Sequence, residues 1–503
     1  MGYPAIPLTR SRFDTVRRSF WIGGAWRDPV AGRDGPGTAV LDPSGRGAVG
    51  RVPLGEAADV SAAVDAARTA FPVWAAADAG ERRALLHAIA VGITNREADF
   101  ARLISAEMGA PVDNALTTQT RLAAEVFTSY AEILDGHAWE ERIGTSQVVQ
   151  EPVGVVAAIT PWNYPLYLIA AKVAAALAAG CTVVLKPSGD APLNAFLLAE
   201  VIAEATAEVG APGGVFNLIS GSGRTVGAAL VSAPGVDAVS FTGSTEAGRA
   251  VAAAAAGTVK GLGLELGGKS ARVILADEPD GTEVTGLEEA VRAALADVFY
   301  NSGQTCTSCS RVLVPDGLYD EVVRLAVEEA AKWRLGDPAL PGNHIGPIAT
   351  SAQFDSVLTH IDQATAQGAR LVAGGRASRE DIPEGLVEGY WVLPTVFAEV
   401  TNDMAIAREE IFGPVVCLMR YRDEQEALWI ANDSIYGLAG AVWCANHSRA
   451  ERFARQIRAG LVTVNNGEFN VRAPTGGYKQ SGVGRELGVH GLHHFMETKT
   501  IQW

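Results

Sequence analysis

Two short stretches of this chain carry residues that could do covalent chemistry. Cys306 lies in the small, polar, glycine-punctuated segment 303–311, and Glu265 lies between two leucines just before a glycine pair. A thiol can attack an electrophilic carbon and hold it covalently, and a carboxylate can act as a general base toward water. Together the two residue types indicate covalent thiol catalysis with a water-activating base.

Each of these residues also has a simpler interpretation on its own. A single buried cysteine is usually a packing residue. Cys306 and Cys309 also form the Cys-x-x-Cys spacing of a redox dithiol or of half a zinc site. No second cysteine pair and no histidine pair completes such a site, so no metal is expected. His490, His493 and His494 have the helical spacing of a metal cluster, but no acidic or cysteine partner is near them in the sequence, which favours a structural or interface role.

Two loops contain glycines where backbone amides could contact phosphate, at residues 221–227 and 241–248. The first has one residue too many before its third glycine for the strict dinucleotide fingerprint, so a plain turn is equally consistent. In the second loop Gly243 follows a predicted strand, and Ser244 and Thr245 open a predicted helix. An ordinary Ser/Thr cap explains that pattern as well, so both interpretations stay open.

The elements that must position these residues follow a repeated strand–loop–helix pattern from about residue 153. Such alternation predicts a parallel sheet covered by helices on both faces. Ligands bind at the carboxyl ends of such strands, and the loops that begin at Thr160, Lys186, Ser220 and Thr242 lie there. The predicted strands are 153–159, 182–185, 215–219 and 238–241, and the predicted helices are 165–179 and 192–209.

The regions on either side have weaker patterns. A short hairpin is predicted at 20–24, and helices are predicted over 57–71 and 80–104 with Pro72 between them. A second α/β unit is predicted from 271 to about 464. Its clearest elements are strands at 271–275, 311–314 and 415–418 and a helix at 319–332. The acidic stretch 277–289 predicts a solvated insertion, and the alanine run 252–256 predicts a tightly packed helix.

Composition excludes several classes of protein. The chain has 503 residues, 48% of them hydrophobic and 19% charged, which is typical of a globular protein of two or three domains. A net charge of -16 would repel a phosphate backbone, so no nucleic-acid partner is expected. Five cysteines without scaffold spacing favour a reducing compartment. We find no signal peptide and no apolar run that could span a membrane, so a soluble cytoplasmic protein is expected.

Seven motifs occur in an order that carries more information than any one of them. On these motifs the chain resembles the aldehyde dehydrogenase superfamily, and the resemblance extends from Trp21 to Lys499, almost the whole chain. The motifs are Pro161-Trp162-Asn163-Tyr164-Pro165, Lys186-Pro187-Ser188, Phe241-Thr242-Gly243-Ser244-Thr245, Glu265-Leu266-Gly267-Gly268-Lys269-Ser270, Gly303-Gln304-Thr305-Cys306, Glu409-Glu410-Ile411-Phe412-Gly413-Pro414 and Gly476-Gly477-Tyr478-Lys479-Gln480-Ser481-Gly482.

The resemblance implies a role for each reactive residue. Cys306 would add to an aldehyde and form a thiohemiacetal, with the developing oxyanion held by the Asn163 amide and the Cys306 backbone amide. Hydride transfer to a nicotinamide would leave a thioester, and Glu265 would activate the water that releases the acid. Its leucine neighbours predict a pKa raised by desolvation. The presence of this glutamate implies a free acid product rather than transfer to coenzyme A. Lys172 would belong to a proton relay leading away from the base.

The resemblance also implies a binding site for NAD or NADP. Here the acidic residue that follows Lys-Pro-Ser in NAD-preferring relatives is replaced by Gly189, with Asp190 one residue later, so a 2′-phosphate near Lys186 would not be repelled. The residues implied for the cofactor are Ile159, Thr160, Trp162, Lys186, Ser188, Gly189, Gly223, Phe241, Gly243, Ser244, Leu266, Glu410 and Phe412.

For the substrate the resemblance implies a tunnel with aromatic walls. It would accept a medium-sized aliphatic or aromatic aldehyde, because Ala171 and Thr475 stand where relatives often have aromatic residues. The residues implied for this tunnel are Tyr164, Tyr167, Thr305, Thr307 and Phe469.

By the same resemblance the fold is α/β, with a Rossmann-like cofactor domain, an α/β catalytic domain and a small β oligomerisation arm. Residues 1–133 and 152–266 would form the cofactor domain and 267–465 the catalytic domain. Residues 134–151 and 466–503 would form the arm and the C-terminal segment, which makes a homodimer or homotetramer the expected assembly. The alternative function left open is a cofactor-independent thiol esterase or hydrolase that uses Cys306.

Overall fold

The computed structural model of this chain describes residues 15–35, 37–277, 282–342 and 345–503. The strands are β1 (Phe20–Ile22), β2 (Ala25–Arg27), β3 (Gly37–Asp42), β4 (Gly47–Pro53), β5 (Glu140–Ile143), β6 (Ser146–Pro152), β7 (Val155–Ile159), β8 (Thr182–Lys186), β9 (Phe216–Leu218), β10 (Ala238–Thr242), β11 (Gly261–Glu265), β12 (Ala271–Ile274), β13 (Arg311–Pro315), β14 (Arg370–Arg376), β15 (Val392–Ala398), β16 (Val415–Tyr421), β17 (Ala439–Trp443), β18 (Leu461–Val464), β19 (Gly482–Val483) and β20 (Met496–Gln502).

The helices fill the intervals between these strands. They are α1 (Ala57–Ala75), α2 (Ala79–Asn95), α3 (Glu97–Met108), α4 (Val112–Asn114), α5 (Leu122–Leu134), α6 (Pro165–Ala179), α7 (Leu193–Val209), α8 (Ala228–Ser232), α9 (Thr245–Ala255), α10 (Leu287–Phe299), α11 (Tyr319–Ala330), α12 (Ser351–Ala366), α13 (Ala405–Arg408), α14 (Glu424–Asn432), α15 (His447–Ala454) and α16 (Gly488–His493).

The larger sheet has the order β19-β11-β10-β7-β8-β9-β1-β2. Strands β7 to β11 run parallel, and the hairpin β1–β2 and the short β19 add antiparallel edges. This confirms the predicted parallel sheet and the predicted hairpin. The chain builds the sheet in one direction through β7, β8 and β9 and then in the other through β10 and β11. The strand order therefore reverses between β7 and β10, which creates a crevice at their carboxyl ends.

Helix α6 shows why the sequence folds this way next to the sheet. It begins with Pro165, whose fixed φ suits the first helical turn, and it ends at Gly180 in the left-handed conformation (φ 93°). Apart from Tyr167 every residue between is buried, because seven alanines let the helix pack closely on its neighbours. The predicted bounds of this helix are confirmed.

The second sheet has the order β14-β15-β16-β13-β12-β17-β18 and confirms the second α/β unit. Its central strands β12, β13, β16 and β17 are parallel and almost wholly buried. Apolar side chains on its two faces form two separate cores. A third sheet, β20-β6-β5, joins the last residues of the chain to the hairpin at 140–152.

Two predicted helix boundaries were wrong. Helix α1 continues through Pro72 to Ala75, because the buried Trp74 anchors the last turn through a hydrogen bond from its indole N–H to the Leu177 carbonyl (3.2 Å). The single helix predicted over 80–104 is interrupted at Arg96, which leaves helical geometry (φ -116°). At this break the Arg96 guanidinium donates a hydrogen bond to Glu200 on α7 (3.3 Å).

Two other expectations need correction in detail. Part of the stretch 277–289, residues 278–281, lies outside the described residues; beyond it Val284 is buried and α10 begins at Leu287. Glu288 and Glu289 are helical because acidic side chains in a first turn favour helix formation. The alanine run does lie at the end of α9, but Ala253 is exposed, so that helix is not tightly packed on all sides.

Among the described residues, none of the helices combines the length and the apolar character needed to cross a bilayer.

Candidate active site

A cavity of about 300 Å³ lies in the crevice where the strand order of the larger sheet reverses. Thr160 follows β7 and Thr242 ends β10, the two neighbouring strands that border this point. Six of the residues predicted to contact a cofactor line this cavity together with Asn163 and Cys306. They are Trp162, Gly243, Ser244, Leu266, Glu410 and Phe412.

A second cavity, of about 240 Å³, lies on the other side of Cys306. It shares three lining residues with the first: Thr242, Leu266 and Cys306. The thiol therefore lies between two spaces. The structure brings all five predicted substrate residues together around the second cavity, along with Glu265; they are Tyr164, Tyr167, Thr305, Thr307 and Phe469.

A strained turn before the cysteine fixes its position. Asn301 (φ 50°), Ser302 (φ 58°) and Gly303 (φ 74°) are all left-handed, which L side chains rarely adopt. A Cβ at residue 303 would lie 2.0 Å from the Gly413 carbonyl, so only glycine fits there. The Ser302 hydroxyl donates to the Gly346 carbonyl (2.8 Å), and the Asn301 amide donates to the Asn163 carbonyl (3.0 Å). These buried hydrogen bonds hold a backbone conformation that the sequence alone would not favour.

Gln304 connects this turn to the rest of the site. Its side chain donates to the Asn301 carbonyl (3.1 Å) and accepts from the Ala349 amide (2.8 Å). Its backbone carbonyl accepts from the Asn163 side-chain amide (3.0 Å). Asn163 is 3% exposed, so its amide is fixed in a buried position within the lining of the first cavity.

The environment of Cys306 favours the neutral thiol. Burial, together with the carboxylates of Glu410 and Glu265, raises the pKa of Cys306 to about 12. The backbone amides of Cys306 and Thr307 act in the opposite direction. Because a thiol is a poor nucleophile, this residue needs a base or a nearby positive charge before it can react.

Glu265 ends β11 and lines the second cavity. Burial raises the pKa of Glu265 well above its usual range, and the carboxylate of Glu486 raises it further, against the opposing charges of Lys172 and Arg485. The direction confirms the shift predicted from its apolar neighbours. A carboxylate with a raised pKa is a stronger base than one in water, which suits a group that must take a proton from water.

Lys172 lies inside α6 with a side chain that is wholly buried, and its ammonium forms an ion pair with Glu486. It also donates to the Ser240 hydroxyl on β10 (3.2 Å). Glu486 lines the second cavity and was missed by the sequence analysis. A lysine among alanines and leucines could have pointed to it, because a buried ammonium requires an anionic partner.

The residues around the first cavity fit a dinucleotide on structural grounds. The hydroxyl oxygens of Thr160 and Thr242 are buried and have no hydrogen-bond partner among the described residues. Ser244 lines the cavity and caps α9 by accepting from the Ala247 amide (3.2 Å), so the N-terminus of α9 lies at the cavity wall. Orphaned hydroxyls next to a helix N-terminus suit the oxygen-rich ribose and phosphate groups of such a ligand.

Glu410 and Phe412 come from the second α/β unit and meet the first across this cavity. Glu410 accepts a hydrogen bond from the Gly268 amide (3.0 Å), and burial raises its pKa to about 7. The ring of Phe412 packs edge-on against Trp162, with 5.5 Å between ring centroids. The two units therefore close on the cavity from opposite sides.

The remaining predicted cofactor residues lie along the same sheet edge but outside the lining of the two cavities. Ile159 and Lys186 are paired at the ends of β7 and β8. Ser188 and Gly189 follow β8, and the stem of Lys186 contacts Gly227, in the turn that begins at Gly223. The ring of Phe241 packs against Gly243.

Other lining residues were also missed by the sequence analysis. Thr118 and Leu122 from the N-terminal helical region line the second cavity, and Tyr300 donates a hydrogen bond to Thr118 (2.9 Å). Gln353, from α12, lines the first cavity and donates to the carbonyls of Ile411 and Phe412. Nothing in the local sequence marks these four residues, because their position depends on contacts between distant segments.

Comparison with known proteins gives this geometry a family. Residues 30–501 match the aldehyde dehydrogenase family model. Over 485 residues the chain is 46% identical to a 3-succinoylsemialdehyde-pyridine dehydrogenase from a Pseudomonas species, covering 96% of this chain and 98% of that protein.

Solved structures agree in fold as well as in sequence. One is aldehyde dehydrogenase C from Pseudomonas syringae, a cysteine-to-alanine mutant in complex with NAD+ and octanal, with a TM-score of 0.91 at 43% identity over 96% of both chains. Another is betaine aldehyde dehydrogenase from Staphylococcus aureus in complex with NAD+, with a TM-score of 0.90 at 35% identity over 96% of this chain and 94% of that one. None of these comparisons supports a thiol hydrolase that works without a cofactor. The chain belongs to the aldehyde dehydrogenase family and is an enzyme that oxidises aldehydes.

Proposed function

We propose that this enzyme converts an aldehyde to a free carboxylic acid with NAD+ through a covalent intermediate on Cys306. The observation that carries the proposal is that Cys306 lies on the wall shared by two cavities. A carbon bonded to its sulfur is open to a nicotinamide on one side and to the rest of the substrate on the other. A thiol outside such a junction could not serve both.

In the first step the Cys306 thiol gives its proton to solvent water, its sulfur bonds to the aldehyde carbon, and the carbonyl oxygen becomes negative. One N–H of the Asn163 amide donates to the Gln304 carbonyl, which leaves the other for this oxyanion, together with the Cys306 backbone amide. Loss of one such donor typically lowers the rate by about 100-fold or more.

When bound, oxidised nicotinamide supplies the hydride acceptor and a positive charge that favours the thiolate. Residues that would hold the cofactor at its reactive end are Trp162, Leu266, Glu410 and Phe412. What remains on Cys306 after oxidation is a thioester. Glu265 then takes a proton from water, whose oxygen attacks the thioester carbon and releases the acid.

Lys172 and Glu486 form the exit for that proton. Their ion pair lies close to Glu265, because the charges of both residues shift the pKa of Glu265. A protonated Glu265 would be stabilised by the second carboxylate, and a proton passed on to Glu486 would leave Glu265 ready for the next cycle.

NAD+ is the principal cofactor, because relatives of 43% and 35% identity were crystallised with it. NADP+ is accepted as well. A side chain at Gly189 would meet no neighbour, so the space beside Lys186 is open, and the Asp190 carboxylate accepts from the Ser188 hydroxyl (3.2 Å) in an exposed position. A 2′-phosphate would find open space at Gly189, while the Asp190 carboxylate close to Lys186 gives NAD+ the advantage.

The substrate is a medium-sized aliphatic or aromatic aldehyde. The second cavity, of about 240 Å³, has walls formed by Tyr164, Tyr167 and Phe469, which suit an apolar chain or ring. The octanal bound in the Pseudomonas syringae structure and the 3-succinoylsemialdehyde-pyridine named for the Pseudomonas relative are aldehydes of this size class.

Two or four copies assemble through an arm formed by the hairpin at 134–151 and the strand near 497–503, which ends the C-terminal segment 466–503. Residues 1–133 and 152–266 form the cofactor domain, and residues 267–465 form the catalytic domain. The exposure of β20 and of Trp503 (82%) supports this assembly. All five cysteines are free, which supports a reducing compartment such as the cytoplasm.

The test is an aldehyde panel with NAD+ and with NADP+, followed by the absorbance of the reduced nicotinamide. We expect turnover with both cofactors, a preference for NAD+, and loss of turnover in Cys306→Ala. The proposal fails if no aldehyde reduces either cofactor, or if Cys306→Ala keeps the parent rate.

A further inference from the structure

A third cavity, of about 350 Å³, lies beside the aldehyde cavity and has no part in the chemistry described above. Its floor is one face of the second sheet, where Arg272 on β12 pairs with Ala441 on β17 and Ala441 with Thr463 on β18. The small side chains on β17 leave the space open. Three residues line both this cavity and the aldehyde cavity and form the wall between them: Thr307, Phe469 and Thr475.

Arg272 is the unusual residue of this cavity. Its side chain is 6% exposed, and its Nε and Nη1 groups have no hydrogen-bond acceptor among the described residues. Its Nη2 group lies 3.6 Å from a carboxylate oxygen of Asp297, too far for a good hydrogen bond. Buried N–H donors are normally paired, because an unpaired one loses its water without compensation. A cavity wall with such donors is therefore suited to a ligand that brings an acceptor.

The charges around the cavity decide which kind of acceptor fits. Asp297 also lines it, and the same carboxylate oxygen accepts from the Cys309 amide (3.0 Å). Glu468 is a further lining residue of this cavity. Two carboxylates against one guanidinium leave the site with a formal charge of about -1, which repels a substrate carboxylate. An uncharged oxygen or nitrogen meets no such repulsion.

We propose that this cavity is a subsite for the end of the aldehyde that is remote from its reacting carbon. There Arg272 donates hydrogen bonds to an uncharged acceptor, such as a ketone or amide oxygen or a ring nitrogen. The inference rests on the proposed function, because the shared residues Thr307, Phe469 and Thr475 connect the subsite to the thiol. An extended substrate would pass between the cavities by displacing the half-exposed ring of Phe469 from its edge contact with Tyr167.

The test compares two aldehydes of equal length with the full-length enzyme and NAD+. One is a butanal whose fourth carbon, counted from the aldehyde, is a ketone that carries a phenyl group. The other has a methylene group in place of that ketone. We expect the parent enzyme to prefer the ketone by about 10- to 100-fold in kcat/KM, the effect of a hydrogen bond from a charged donor. In Arg272→Met this ratio falls to about 1.

Arg292→Met is the matched control, since Arg292 lies on the exposed face of α10 (58% exposed) and should leave the ratio as in the parent. If Arg272→Met does not fold, Arg272→Lys keeps a charge beside Asp297 but loses the forked donor, and an intermediate ratio is expected.

The inference is overturned if the parent shows no preference for the ketone, or if Arg272→Met lowers both rates equally and leaves the ratio unchanged. It is also overturned if an analogue carrying a carboxylate on the phenyl ring is preferred to the ketone. Activity with the methylene analogue in the parent enzyme separates these results from a failure of the proposed function, which requires that no aldehyde be oxidised at all.

Discussion

At the residue scale, the surroundings of Cys306 matter more than its being a cysteine. With a pKa of about 12 in the free enzyme, only a small fraction of the sulfur is thiolate at neutral pH. The two carboxylates nearby make that fraction smaller, so the same groups that serve the later steps keep the nucleophile inactive until cofactor and substrate arrive. This also protects the thiol from unwanted alkylation and oxidation.

Alkylation of the free enzyme should show this directly. Because the thiol form persists below the raised pKa, the rate of Cys306 modification by iodoacetamide should rise about tenfold per pH unit from about pH 7 to pH 10, without a plateau. Peptide mass spectrometry measures the rate at each cysteine. Cys306→Ser is the control, since Cys181, Cys309, Cys417 and Cys444 are buried and should stay unlabelled. A plateau near pH 8 would contradict a raised pKa of Cys306.

Glu265→Gln tests whether Glu265 acts as the base that activates water while Cys306 acts as the nucleophile. An amide cannot take a proton from water, so we expect one equivalent of reduced cofactor per active site, followed by turnover at least 100-fold slower than in the parent. Stopped-flow absorbance resolves the burst from the steady state. Glu321→Gln, on the exposed face of α11, should behave as the parent. A variant that turns over at the parent rate would remove Glu265 from the role of base.

At the scale of elements, the active site depends on how closely the two α/β units approach each other. The segment after β11 carries a glycine pair, and a Cβ at Gly268 would lie 2.5 Å from the Cys306 carbonyl oxygen. Gly268→Ala should therefore displace the nucleophile. We expect a loss of kcat of about 10- to 100-fold, because small misplacements of reacting groups have effects of that size.

Gly257→Ala is the matched control for that variant, since a Cβ there meets nothing within 4 Å. Steady-state kinetics and far-UV circular dichroism of both variants distinguish a local displacement from loss of the fold. If Gly268→Ala keeps the parent kcat, the close approach of this segment to Cys306 does not matter for catalysis.

The same scale shows what a sequence can and cannot predict. Helix α6 and strands β7, β8 and β10 follow from local patterns, since each is an apolar run bounded by proline or glycine. The end of α1 does not, because a side-chain contact between Trp74 and Leu177 overrides the local effect of Pro72. Pairings such as Glu265 with Gly482 join segments more than two hundred residues apart, and no local pattern specifies them.

The site divides in the same way. Cys306 and Glu265 were found from their residue types and neighbours, and the motifs then indicated the residues around them. Glu486 and Arg272 were not found. Their importance comes from burial and from partners that only the folded chain brings together, Lys172 for the first and Asp297 for the second.

At the scale of the whole molecule, the three-stranded sheet is the feature that a single chain does not explain. Strand β20 pairs with β6 on one side only, and nearly all of its residues are exposed. Ile501 is 37% exposed, and Trp503 is 82% exposed. An uncovered strand edge that ends in apolar side chains favours association, and a closed symmetric assembly is the usual solution.

Charges introduced at that end should therefore prevent assembly. By light scattering coupled to gel filtration, we expect the parent to show two or four times the subunit mass. The double variant Ile501→Glu with Trp503→Glu should show a smaller mass, because a carboxylate buried at the interface would have no partner there. Val259→Glu is the control, because Val259 is 91% exposed on a different element and should leave the mass unchanged. A monomeric parent, or a double variant with the parent's mass, would show that β20 is not the assembly surface.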